Sequence, residues 1–185
     1  SACRMLARLD VSEVDTNTRS HGPLTSTVRA DDGEPAGAMS VRRRRLSDVT
    51  RVAAIDCGTN TIRLLVADVE EGLGHTVEIV REGRVTRLGR GVDRTGELDP
   101  AALELTLQAA REFAVTIAEL GVERIRFVAT SATRDARNRD AFVAGVREAL
   151  GVEPEVVTGV EEARLSFTGA VSVIADRHPG PYLVV

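Results

Sequence analysis

The chain has 185 residues, room for one domain with a tail and enough to bury a core. Its formal charge of -4 argues against a surface built for nucleic acid, and all 24 basic residues are arginine, which excludes a phosphate-loop lysine and a Schiff-base lysine. Aromatic residues make up 3 % of the chain, with no tryptophan, too few and too scattered for a base-stacking platform.

Cys3 and Cys57 lie far apart and form no disulfide framework, which fits a reducing compartment. His21, His75 and His178 are dispersed and show no metal-ligand spacing. No apolar stretch reaches the length of a membrane span, and the amino end lacks the apolar core of a secretory signal. These features point to a cytoplasmic protein with no membrane partner.

Residues 1–50 mix Asp, Ser, Thr, Gly and Pro without a sustained period, the composition of a disordered segment. Met39 precedes the basic run Arg42–Arg45, and a start at or near Met39 is expected, the upstream part being a mistaken extension. The basic run reads as a solvated tail.

Val52 to Ile55 are small or β-branched and too few for a helix, so they read as a buried strand that ends in Asp56. Gly58-Thr59-Asn60 is turn chemistry, and Ile62 to Val66 is the returning strand. Such a hairpin gathers a carboxylate, backbone N–H groups, a hydroxyl and an amide around one small volume. That volume suits a phosphate with a hydrated cation. An ordinary hairpin with a polar tip has the same pattern, and spacing alone leaves both open.

Ala67 to Gly72 lead into a turn, and the alternation from Thr76 to Glu82 predicts a third strand. Arg84 to Val92, with three arginines among two glycines, reads as a loop. Asp99 and Pro100 are a cap and a first helical residue, and Leu103, Leu107, Ala110, Ala114, Ile117 and Leu120 carry the helical period to Gly121.

Arg124 to Ala129 is the next strand, and it runs into Thr130-Ser131-Ala132-Thr133-Arg134. A strand that stops in hydroxyls and an arginine before a helix is where open α/β sheets place their ligands. Arg134 could fork onto phosphate oxygens or pair with Asp135 or Asp140 at the surface. Residues 138–150 read as a helix with the stripe Phe142, Val146, Leu150. Glu155 to Val157 is a short strand. Thr158 and Glu161 have the spacing of a capping box, which gives Glu161 a structural task and leaves Glu162 without one. The last helix continues through Phe167, Val171 and Ile174 to the break at 178–181, and Tyr182 to Val185 is expected to begin another strand.

The pattern is that of an α/β fold. The order Asp56-x-Gly58-Thr59-Asn60, then Ala129-Thr130-Ser131-Ala132-Thr133-Arg134, then Glu161-Glu162-Ala163-Arg164 closely resembles the amino-terminal lobe of the exopolyphosphatase / guanosine pentaphosphate phosphohydrolase family. The resemblance covers about residues 51–185, and Arg87-Leu88-Gly89 resembles the family's segment after the third strand. It implies an actin-like (ribonuclease H-like) lobe with a mixed β-sheet flanked by helices. It implies that Gly58, Thr59 and Asn60 hold phosphate, that Asp56 faces Mg²⁺, that Arg134 contacts substrate phosphate and that Glu162 is the catalytic base. The implied reaction is hydrolysis of a terminal phosphoanhydride in inorganic polyphosphate or guanosine pentaphosphate, by a homodimer.

Cys57 stands where the family usually has an aliphatic residue and reads as a small core side chain. The family's second phosphate loop, Asp-x-Gly-Gly-Gly, would begin just past Val185, so these residues are expected to supply one wall of the cleft and to have little activity alone. Two other functions fit the same residues: an ATP-dependent kinase of the same superfamily, and a sensor that binds guanosine tetra- or pentaphosphate without turning it over.

Overall fold

The computed structural model describes residues 49–70, 76–174 and 178–184. Residues 1–48, with Met39 and Arg42–Arg45, residues 71–75, with His75, residues 175–177 and Val185 lie outside the described residues.

The chain order is β1 (Val49–Cys57), β2 (Thr61–Glu70), β3 (Thr76–Val85), α1 (Val92–Thr95), α2 (Pro100–Glu119), β4 (Arg124–Ala129), α3 (Ser131–Arg134), α4 (Arg139–Leu150), β5 (Glu155–Val156) and α5 (Gly159–Ile174). The strands form one five-stranded sheet in the order β3-β2-β1-β4-β5. β1 pairs antiparallel with β2, and β2 with β3, whereas β1 pairs parallel with β4, and β4 with β5. The central strand β1 is buried on both faces from Val52 to Cys57, which is why it reads as a continuous apolar run and does not alternate.

One face of the sheet carries Ala53, Ile55, Cys57, Ile62, Leu64, Val66, Phe127 and Ala129, covered by Phe113 and Ile117 of α2 and by Phe142 and Val146 of α4. Phe127 and Phe142 meet edge to face at 5.9 Å. The opposite face is smaller: Ala54, Leu65, Val128 and Val157, with Leu165 of α5 packed against them. α5 therefore lies on the face that β1 turns Asp56 toward.

α2 begins as expected. Asp99 accepts from the Ala101 and Ala102 N–H groups at 3.1 and 3.0 Å, and Pro100 opens the helix. Its buried line is Ala102, Thr106, Ala109, Ala110, Phe113 and Ile117: Ala110 and Ile117 are as predicted, whereas Leu103, Leu107 and Leu120 only flank the core. The small residues let the helix lie close to the sheet, and Leu107 turns toward α4, where Gly145 leaves room for it.

Several boundaries move. β1 begins at Val49, ahead of the expected strand at Val52, because Val49 and Thr50 pair with Glu70 and Val69. For the same reason the returning strand runs past Val66, and Ala67–Glu70 belong to β2. β3 extends to Val85, which takes Arg84 and Val85 out of the predicted loop, and α1 occupies its end. No strand forms at 181–184. A strand requires a neighbour for its backbone groups, and the described residues present none to this segment. No helix among the described residues is long and apolar enough to cross a membrane.

Candidate active site

The hairpin between β1 and β2 brings the first group of residues together. Asp56 is 6 % exposed. The antiparallel register sets it opposite Arg63, whose Nη1 lies 3.6 Å from Asp56 Oδ2. Burial pushes the Asp56 carboxyl above its ordinary range; the charge on Arg63 pulls it back, and the charge on Glu162 adds to the upward push. Arg63 was not singled out in the sequence. It is legible only once the turn is known to close so that residues 56 and 63 pair. Cys57 is buried, and burial above all, with the Asp56 charge beside it, holds its thiol protonated, as a core side chain requires.

At the tip, the Gly58 N–H donates to the Thr61 carbonyl at 3.0 Å, so this amide closes the turn. The sequence reading placed it among the phosphate donors; within the tip, the N–H groups of Thr59 and Asn60 are the ones left for that task. A Cβ at Gly58 would meet only the Thr61 carbonyl, at an ordinary 3.6 Å, and its φ is not in the left-handed region. The turn itself thus makes no demand for glycine there, and the missing side chain leaves open space above the hairpin.

β4 ends beside this tip. The Thr130 N–H donates to the Cys57 carbonyl at 3.2 Å, and Thr59 Oγ1 lies 3.2 Å from Ser131 Oγ. α3 is a single turn that ends on Arg134. The Arg134 guanidinium is seated by the carbonyl of Val157, to which Nη1 donates at 2.9 Å. It reaches Asp135 at 3.4 Å, one of the two surface partners the sequence allowed, and Glu162 Oε2 at 4.0 Å.

Glu162 comes from the first turn of α5. Thr158 Oγ1 accepts from the Glu161 N–H at 3.2 Å, one half of the capping box predicted from the sequence, and the Glu162 N–H donates to the Thr158 carbonyl at 2.8 Å. That cap fixes the start of the helix, and the Glu162 carboxylate projects half exposed beside Arg134. The fold thus joins Arg134 to Glu162, sets Asp56 within reach of the Glu162 charge, and ties Thr59 to the start of α3. Asn60 is exposed, and its contacts here run through its carbonyl, which accepts from Thr86 and Arg87 N–H groups at 3.0 Å each. Among the described residues no group of three or more His, Cys, Asp or Glu side chains could by itself hold a metal.

A mixed sheet in this order, with a polar hairpin tip beside the carboxyl ends of its parallel strands, defines an actin-like lobe. The chain belongs to the Ppx/GppA phosphatase family, whose match covers residues 65–185. It is 49 % identical over 144 residues to exopolyphosphatase 2 of Mycobacterium tuberculosis, covering 74 % of this chain and 45 % of that one. It is 34 % identical over 125 residues to a bifunctional 3-dehydroquinate synthase/phosphatase of Fusobacterium nucleatum, covering 65 % of this chain and 19 % of that one. Among solved structures, an exopolyphosphatase-like protein superposes with a TM-score of 0.68 at 52 % identity, over 73 % of this chain and 41 % of the other. The Ppx/GppA family member of Aquifex aeolicus gives 0.62 at 35 %, over 70 % and 42 %. The chain spans less than half the length of these relatives.

Proposed function

We propose that these residues form one wall of a phosphoanhydride hydrolase that releases orthophosphate from the end of inorganic polyphosphate or guanosine pentaphosphate. The observation that carries the reading is the 4.0 Å approach of Arg134 Nη1 to Glu162 Oε2. Phosphoryl transfer to water needs a base to orient the nucleophile next to a cation that neutralises the phosphoryl oxygens. The relatives named as exopolyphosphatases support polyphosphate as the substrate class.

In this reading Glu162 accepts a proton from the attacking water as its oxygen bonds to the terminal phosphorus and the bridging P–O bond breaks. Arg134, the Thr59 hydroxyl and the Thr59 and Asn60 N–H groups donate to the phosphoryl oxygens, whose charge rises in the transition state. Gly58 leaves the anion space to approach. Asp56 is a nearly buried carboxylate with an ion-pair partner 3.6 Å away. That is too small a set for an all-protein metal cage, and it fits Mg²⁺, which keeps several waters and needs one or two carboxylates beside substrate phosphates. When bound, such an ion would draw charge from the transferring group.

One wall holds the anion without enclosing it, so the 185 residues alone are expected to show little turnover. The test is phosphate release from polyphosphate and from guanosine pentaphosphate, with and without Mg²⁺, by the longest reading frame that contains these residues. Release that disappears in Glu162→Gln supports the proposal. Binding without release would favour the sensor, and ATP consumption with a small-molecule acceptor would favour the kinase.

A further inference from the structure

Gly89 sits between β3 and α1, and its φ is not in the left-handed region, so its own backbone makes no demand for glycine. What excludes a side chain there is the hairpin tip. A Cβ at 89 would lie 2.3 Å from Thr59 Cγ2, 3.3 Å from Thr59 Cβ and 3.2 Å from Ala132 Cβ. The Thr59 methyl cannot yield as the end of a long chain would, because a β-branched side chain is stiff at χ1.

Nor can the segment slide away. The Gly89 N–H donates to the Thr59 carbonyl at 2.9 Å, and Thr86 and Arg87 both donate to Asn60. Leu88 is fully buried in the core, and Arg87 holds a left-handed φ of 55° to make the bend. A methyl at residue 89 would therefore press on the Thr59 methyl on one side and on Ala132 Cβ on another, while the Thr59 hydroxyl lies 3.2 Å from Ser131 Oγ.

We propose that Gly89 is a positioning residue. The empty space at residue 89 is what lets Thr59 adopt the rotamer that presents its hydroxyl to the anion at the hairpin tip, so the size of residue 89 and the branching of residue 59 act as one setting. The role in anion binding rests on the functional reading above; the coupling between positions 59 and 89 does not.

The test is a cycle of Gly89→Ala, Thr59→Ser and the double variant in the 185-residue chain. It is read by amide NMR shifts and by calorimetric titration with tripolyphosphate and Mg²⁺. Thr59→Ser removes the methyl in the way and keeps the hydroxyl. Gly89→Ala should move the amides of Thr59, Asn60 and Ser131 and weaken binding about tenfold, the weight of one hydrogen bond to a charged group. In the double variant those amides should return to their places in Thr59→Ser, with most of the lost affinity recovered. Shifts confined to residues 88–90, or a loss the serine does not relieve, would overturn the proposal. If the native chain does not bind tripolyphosphate, the role in anion binding fails with the functional reading, and the amide shifts still decide the coupling.

Discussion

Arg134 Nη1 donates at 2.9 Å to the carbonyl of Val157 and lies 4.0 Å from Glu162 Oε2. The carbonyl belongs to the segment that leads into α5, so the guanidinium is fixed to the same piece of chain that delivers the carboxylate. Carboxylate and guanidinium are thereby positioned relative to one another by a single contact to the main chain, across 28 residues of sequence.

Glu162→Gln keeps the size and the helix start but cannot take a proton. Turnover should fall about 100-fold or more while the KM for polyphosphate changes little. Steady-state phosphate release checks both. A turnover equal to that of the native protein would remove Glu162 from the role of base.

Arg134→Lys retains a charge but loses the fork that can hold the Val157 carbonyl and a phosphate oxygen together. It should lose about 100-fold or more in kcat/KM, close to the loss in Arg134→Gln. A lysine variant near native activity would mean that charge alone suffices.

Asp56 and Asp68 should respond to pH with opposite signs. Burial raises Asp56 above the ordinary 3.8, so the folded chain holds this proton more tightly than the unfolded one. The stability this gives is present below 3.8 and is lost as pH rises through the raised folded value. Asp56→Asn should therefore raise Tm near neutral pH without Mg²⁺, and the gain should vanish in acid. Asp68 is lowered from 3.8 mainly by its hydrogen bonds from Arg51, at 2.7 and 2.9 Å. Its contribution is present above 3.8 and is lost as pH falls through the lowered folded value. Asp68→Asn should lower Tm at neutral pH and converge with the native chain in acid. Thermal melts across pH 2–7 separate the two.

Phe113 is fully buried where α2 meets the sheet, with the Arg84 guanidinium 5.8 Å from its ring centroid. Phe113→Ala should cost about 3–5 kcal/mol of folding stability. Urea denaturation measures this directly, and a cost under about 1 kcal/mol would mean that α2 can collapse onto the sheet to fill the space.

What was legible in the sequence was what local chemistry decides. The start of α2 was readable from Asp99-Pro100, the end of β4 from the switch to the hydroxyls of Thr130 and Ser131, the end of α4 from Gly151, and the start of α5 from Thr158 and Glu161. The four-residue helices α1 and α3 were not, because a single turn is too short to show a period. The added strand residues at Val49–Arg51 and Ala67–Glu70 were hidden because pairing sets strand length, and a pairing partner is distant in the chain.

By itself, the sequence determined the α/β alternation, the starts of α2 and α5, and the candidate list Asp56, Gly58, Thr59, Asn60, Arg134 and Glu162, because caps, periods and motifs act over a few residues. Only the tertiary structure decided which of these meet. It brought Arg134 to Glu162 and Thr59 to Ser131, set Arg63 against Asp56, spent the Gly58 N–H inside its own turn, and placed Gly89 where a methyl would displace Thr59. The physical reason is that each of these contacts depends on sheet register and loop closure, which bring together atoms whose separation along the chain carries no local signal.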